Sequence, residues 1–246
     1  MHQVELADGE PRFQMLETIR EFALAALDAS GETDGVRQLH ARFYRALVRA
    51  AVVHQRGAKQ EVWFDRLQQE LSNLRAVLAY LLSEGDHHAG FRLAAALGWF
   101  WVARGHLSEG RTWLSQALAK SEEATAQERA NLLRNSAMLA YYADADLITQ
   151  QRFDEEALAL FREAGDRVGM SMALNSLGVV AMITGDFEPA RRMLEESVAL
   201  LQDGANRQFL GVPLPNLGFA AWRSGEVASA QVHFETSLAA TQASGD

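Results

Sequence analysis

The chain has no cysteine, only two lysines and only four prolines among its 246 residues. Without cysteine there can be no disulfide scaffold, zinc finger, thiol nucleophile or iron–sulfur site. The two lysines, Lys59 and Lys120, leave little scope for a catalytic lysine, and neither stands in a G-x-x-x-x-G-K-[ST] loop, so the chain has no P-loop. Basic charge is short as well: 23 Lys+Arg face 32 Asp+Glu, for a net charge of -9. That leaves no basic field for a phosphate backbone, so nucleic-acid binding by this chain is not expected. No apolar run approaches the roughly 20 residues of a membrane span. Met1-His2-Gln3-Val4-Glu5 lacks the basic and apolar regions of a signal peptide, so the expected location is cytoplasmic, with no membrane partner. G-x-S-x-G, H-E-x-x-H and Gly-rich phosphate loops are all missing. No catalytic residue, cofactor or metal site is expected, and the chain is read as a non-enzyme.

What is present is alanine and helical periodicity. Alanine, the best helix former, makes up 41 residues of a chain that is 48% apolar. Residues 3–16 are the exception: two short alternating runs flank Ala7-Asp8-Gly9-Glu10-Pro11, which predicts a β-hairpin. Three helical stripes follow. The first carries Ile19, Phe22, Ala23, Ala26 and Leu27 and stops at Gly31. The second carries Val36, Leu39, Phe43, Leu47, Ala50 and His54 and runs to Gly57. The third carries Trp63, Leu67, Leu71, Leu74, Leu78 and Leu81 and ends near Gly85.

From there the sequence repeats with a period of 40. Leu174-Asn175-Ser176-Leu177-Gly178 aligns with Leu214-Pro215-Asn216-Leu217-Gly218, and Gly185, Ala190 and Glu195 align with Gly225, Ala230 and Glu235. One step earlier Asn135-Ser136 aligns with Asn175-Ser176, and Gly98 and Gly105 stand 80 residues before Gly178 and Gly185. Four copies result, at about 86–125, 126–165, 166–205 and 206–246, each a helix pair split by a turn at Gly105, Ala145, Gly185 or Gly225. A recurrent glycine inside a helix, at Gly98, Gly178 and Gly218, predicts close helix–helix approach. Leu194 and Phe234 fill the space between helices, and Asp154 replaces them in copy two. Pro213 and Pro215 predict that the first helix of copy four begins late or is kinked. One such unit cannot bury its apolar face, so copies must stack.

Leu-x-x-Leu-Gly, a turn Gly seven residues on, then Ala and a large apolar residue four apart is similar to the tetratricopeptide repeat (TPR), whose usual period is 34. A second resemblance lies further upstream. Arg12-Phe13-Gln14-Met15-Leu16-Glu17-Thr18-Ile19-Arg20-Glu21-Phe22-Ala23 resembles the end of the wing in large bacterial regulators of the STAND class, some of them LuxR-like. In these an NB-ARC-like ATPase module leads into a winged helix. Trp63-Phe64-Asp65-Arg66-Leu67 through Leu78 looks like the connecting segment that follows, and Gly105-His106-Leu107 through Leu114 like the first repeat. The resemblance implies an all-α, TPR-like α-solenoid, a right-handed superhelix of antiparallel helix pairs, with a short N-terminal β-hairpin remnant of the wing. Residues 1–16 would be that remnant, 17–85 a helical connector and 86–246 the four repeats. The chain would be the sensor arm of a longer regulator, with that protein's nucleotide-binding module as a partner.

In TPR arrays the first helix of each pair lines the concave surface. Carried over by position, that surface presents Arg92 and Trp99 in copy one and Asn135, Leu139 and Tyr142 in copy two. Copy three adds Asn175, Val179 and Met182, and copy four adds Phe219, Trp222 and Arg223. The expected ligand is a protein, a peptide or a small-molecule signal. An Asn amide both donates to and accepts from an extended peptide, and aromatic and Arg side chains are the usual interface anchors. Helix packing is the competing reading of Asn135, Asn175, Trp99 and Trp222. The rival function is purely architectural, holding subunits or the switch module together. Glu155-Glu156 and Glu195-Glu196 recur at the repeat period, as solvated helix faces do. His87-His88 could bind a metal weakly, but adjacent residues point about 100° apart on a helix, so a shared ion is not expected.

Overall fold

The computed structural model describes residues 2–5, 11–14 and 16–244. It separates into two compact units, Met1–Phe43 and Tyr44–Asp246. In the first unit the strands β1 (His2–Glu5) and β2 (Pro11–Gln14) pair antiparallel, with His2 opposite Gln14 and Glu5 opposite Pro11, and α1 (Glu17–Ser30) follows. The turn expected at Asp8-Gly9 lies outside the described residues. Helix α2 (Thr33–Val52) continues into the second unit.

The second unit holds α3 (Gln60–Gln69), α4 (Leu71–Ser83), α5 (His87–Ala96), α6 (Gly98–Ala103), α7 (Leu107–Ala119), α8 (Ala126–Asp144) and α9 (Leu147–Ala164). It closes with α10 (Arg167–Thr184), α11 (Phe187–Leu201), α12 (Pro213–Arg223) and α13 (Val227–Ser244). The fold class is an all-α solenoid of paired helices. The expected β-hairpin remnant has no part in that class: the sheet consists of two strands of four residues that pair with each other, too few strands to found a layer of their own.

The pairs are α8 with α9, α10 with α11 and α12 with α13, and each second helix also packs on the first helix of the next pair. Chain reversals between and within pairs share one device. Gly105, Ala145, Gly165, Gly185 and Gly225 end their helices in the left-handed region, with φ between 52 and 92°. After two of them the next residue caps the following helix: Asp146 and Asp166 accept from the backbone N–H groups of Thr149 and Gly169 at 3.0 and 2.9 Å. Helix α8 starts with a full capping box, in which Thr125 and Glu128 satisfy each other's backbone N–H groups.

Three boundaries depart from the stripes. The third stripe is broken at Glu70, which takes hydrogen bonds from the Tyr44 hydroxyl at 2.8 Å and the Asn73 amide at 2.7 Å. The first helix of copy one is interrupted at Leu97, so Gly98 opens α6. In copy four a 3-10 segment, Gly204–Phe209, precedes α12, which starts at Pro213 rather than at Arg207, the residue 40 after Arg167.

Ala130, Leu133, Ala157, Leu158, Phe161, Ala173, Leu174 and Leu177 form one core cluster across copies two and three. Leu194, Val198, Leu201, Leu210, Leu214, Leu217 and Ala220 form the next, across copies three and four. Copy two breaks the pattern of apolar residues at two positions. Arg134 stands where the other copies have buried Ala94, Leu174 and Leu214, and fully buried Asp154 stands where they have Leu114, Leu194 and Phe234. Among the described residues one helix, α10, is long and apolar enough to cross a membrane, and 44% of it is buried in this fold. The sequence shows no unbroken apolar run there because Arg167, Asn175 and small polar residues interrupt it.

Candidate functional site

The first helices of the four pairs, α5–α6, α8, α10 and α12, carry all eleven expected binding residues, and two cavities lie along them. The first, of about 260 Å³, is lined from α5–α6 by Phe91, Arg92, Ala96 and Trp99 and from α8 by Glu128, Asn131, Arg134 and Asn135. The second, of about 590 Å³, is lined by Tyr141, Val179, Met182, Ile183, Phe187, Asn216, Phe219 and Arg223. Between them runs a chain of ring contacts. Trp99 meets Tyr142 edge-on at 5.9 Å, and Tyr142 meets Tyr141 at 5.1 Å, which reaches the second cavity.

Arg92, Trp99 and Asn135 come together at the first cavity, and Val179, Met182, Phe219 and Arg223 at the second. Trp222 lies just outside the second cavity, more than half exposed and tilted against Phe219 at 5.6 Å. The Arg223 guanidinium sits 4.9 Å over the Phe187 ring. Tyr142 is half-exposed on the ridge between the cavities. Leu139 offers nothing to a ligand: it is fully buried, and its methyl group packs where Gly110 lacks a Cβ. Asn135 is 5% exposed and donates to the Asn131 carbonyl at 2.8 Å, so it reaches the cavity only at its edge. Asn175 accepts from the Asn216 amide at 2.8 Å and so links copies three and four. The two asparagines thus do different things despite their 40-residue spacing.

Arg134, Asn131, Tyr141, Ile183 and Asn216 line the cavities without having been singled out in the sequence. Asn216 could have been found from its place beside Leu217-Gly218. Arg134 carries a signal too, as a charge at a position that is apolar in the other copies.

Electrostatics differ between the two ends. Glu128 is buried, which raises its pKa, but His88 at 2.7 Å, the Thr125 backbone N–H and Arg92 together hold its carboxyl below the usual range. Arg134 has its pKa lowered, chiefly by burial, with Arg56 adding repulsion and Asp154 and Asp166 offsetting part of it. Burial pushes Asp154 up to about 7 against the hydrogen bond from Ser176 and the attraction of Arg134. Among the described residues no group of three or more His, Asp or Glu could hold a metal ion.

A third cavity, of about 680 Å³, lies between α7, α8 and α9, away from the expected residues. Ser108, Arg111, Thr112, Ser136, Asp144 and Thr149 line it, and Arg111 and Asp144 pair across it. Its Thr112 and Ser136 hydroxyls are already bonded to carbonyls one turn back. The Glu pairs face solvent as expected of a charged helix surface, Glu156 pairing with Arg129 at 2.9 Å and Glu195 with Arg191 at 3.3 Å.

Residues 171–203 match the tetratricopeptide repeat family model. Over 168 residues, 64% of its length, the chain is 32% identical to proteins named as HTH-type transcriptional regulators in Mycobacterium tuberculosis and Mycobacterium bovis. The matched stretch spans 18% of those regulators. Among solved structures, BtubC (BKLC) from P. vanneervenii superimposes with a TM-score of 0.62 at 19% identity, over 88% of this chain and 89% of that one. A kinesin-light-chain protein of Podospora anserina with nearly identical TPR-like repeats gives 0.57 at 18% identity, over 82% of this chain and 95% of that one. The chain therefore carries a TPR-like repeat region and resembles HTH-type regulators. These likenesses bear on paired helices alone, and the β-hairpin remnant drops out of the fold class. The scaffold is a TPR-like solenoid of paired helices.

Proposed function

We propose that the face lined by the first helix of each pair, the helix-A face, binds a protein or peptide, and that the chain serves as the sensor arm of a signal-transducing transcriptional regulator. The observation that carries the reading is the ring path from Trp99 through Tyr142 and Tyr141 to the second cavity, joining two hollows along one face. Half-exposed aromatic side chains beside arginines are what anchor interfaces. The likeness to HTH-type regulators supports the wider role. There a nucleotide-binding module outside this chain would be the partner, and ligand binding would shift its equilibrium through different affinities for its two states.

The test is selection from a random peptide library by the wild type and by Tyr142→Ala/Trp222→Ala. The wild type should enrich one consensus and the variant should lose it. The same consensus in both, or none in the wild type, would sink the proposal.

One observation favours the architectural alternative. On α13, Phe234 and Leu238 are exposed, 45 and 60%, at the positions where Leu194 and Val198 are buried one copy earlier. Phe234→Glu/Leu238→Glu should lower the solution mass if that face self-associates, and leave it unchanged if it does not.

A further inference from the structure

We propose that the cavity between α5–α6 and α8 is a binding site for an anionic group, a carboxylate or a phosphate, received by Arg134, Asn131 and the indole N–H of Trp99. The inference rests on the reading of the helix-A face as a binding surface and names the ligand chemistry at one end of it.

Arg134 lines this cavity and makes no hydrogen bond or ion pair with any described residue. Its position in the repeat is apolar in every other copy, so packing does not ask for a cation there. A guanidinium in a protein wall is charged at any accessible pH and costly to hold without a counter-ion. Asp154 is near enough to be felt but not near enough to form an ion pair.

The other free groups at the cavity are donors as well. Asn131 lines it, and its side-chain amide bonds to nothing described. Trp99 Nε1 is buried without a partner. The Arg56 guanidinium, itself partnered, lies 5.9 Å over the Trp99 ring. The anionic acceptor at the cavity is already taken. Glu128 is engaged by Arg92, His88 and the Thr125 N–H, and Asn135 Oδ1 is pressed against Gly98. The Gln55 amide N–H is not among the free donors, since it is given to the Ala96 carbonyl at 2.8 Å. An excess of free donors around a fixed cation matches a ligand that only accepts. A volume of about 260 Å³ suits one small anion or one group of a larger ligand, since drug-sized pockets begin at roughly 300 Å³.

The experiment titrates the chain separately with inorganic phosphate and with acetate, followed by calorimetry and by the Trp indole N–H signals, with Trp99 assigned through Trp99→Phe. One or both anions should bind and shift the Trp99 signal. Arg134→Leu, which installs the residue of copies three and four, should weaken binding by roughly tenfold or more, the worth of a charge-assisted hydrogen bond. Its unfolding midpoint should be kept or raised. If the single variant does not fold, Arg134→Leu/Asp154→Leu restores the apolar pair and takes its place. Phosphate alone binding points to a phosphorylated ligand, and acetate alone to a carboxylate. No Trp99 shift with either anion, or equal binding by the leucine variant, overturns the site and leaves Arg134 as a distant counter-charge to Asp154. The peptide selection with Tyr142→Ala/Trp222→Ala does not touch this cavity's cation, so either reading can fail while the other stands.

Discussion

Gly98 lies so close to Asn135 that a Cβ added at 98 would stand 2.6 Å from the Asn135 Cγ and overlap its side-chain oxygen. Asn135 cannot swing out, since it is buried and tied to the Asn131 carbonyl. In an exposed helix, Gly→Ala gains about 1 kcal/mol. Here overpacking reverses the sign: Gly98→Ala should cost ~1–3 kcal/mol, a fall of several degrees in the unfolding midpoint for a chain of this size. Thermal unfolding checks it, and Gly98→Ala/Asn135→Ala should cost less than the sum of the two single changes.

The same repeat position gives a matched comparison. A Cβ on Gly178 would come 2.8 Å from Leu194 Cγ, and one on Gly218 would come 2.9 Å from Phe234 Cε1. Leu194 is fully enclosed, whereas Phe234 is 45% exposed and free to tilt away. Gly178→Ala should therefore destabilise the chain, and Gly218→Ala should be neutral or gain up to about 1 kcal/mol of helix propensity. Equal effects in denaturant unfolding would show that the next copy does not pin Leu194.

The period of 40 was legible because each copy must solve the same packing problem with the same small and large residues, Gly178 against Leu194 and Gly218 against Phe234. The late start of α12 was legible from Pro213. What faces the groove was less so. A step of one residue turns a side chain by about 100°, enough to carry Leu139 from the groove into the core. Periodicity gave Asn135 and Asn175 a common register, but their neighbours differ, Gly98 for one and Asn216 for the other. The break at Glu70 follows from hydrogen bonds with Tyr44 and Asn73, and Tyr44 lies in another helix that no local pattern brings near.

Asp154 makes stability depend on pH. Burial raises its pKa to about 7 in the folded chain, from about 3.9 when unfolded. The folded state thus holds a proton that the unfolded state loses. Its contribution is full below the unfolded value and declines as pH rises toward 7, by at most ~1.4 kcal/mol per pH unit. Glu128 works in the opposite sense, since its folded pKa is lowered and its contribution is lost as pH falls. The difference between wild type and Asp154→Leu isolates the first effect. The leucine variant should gain on the wild type steadily from pH 5 to 7, as read from urea midpoints, and a constant difference would rule out a proton held at Asp154.

Ala145 closes α8 at φ 52° and ψ 33°, and it is the one non-glycine residue among those described with positive φ. Gly105, Gly185 and Gly225 fill the same place in the other copies. A Cβ in the left-handed region costs roughly 1–2 kcal/mol, while the unfolded chain gains about 0.5–1 kcal/mol of freedom from a glycine. The first term is larger, so Ala145→Gly should stabilise the chain by up to ~1 kcal/mol, and Gly185→Ala should destabilise it. The backbone N–H of Ala145 bonds to the Tyr141 carbonyl at 2.9 Å and that of Asp146 to the Ala140 carbonyl at 3.2 Å, bonds that glycine keeps. A rise of the unfolding midpoint in the first variant and a fall in the second is the expected pair of results. A fall in both would mean that the Ala145 methyl group, not its backbone, holds the joint between α8 and α9.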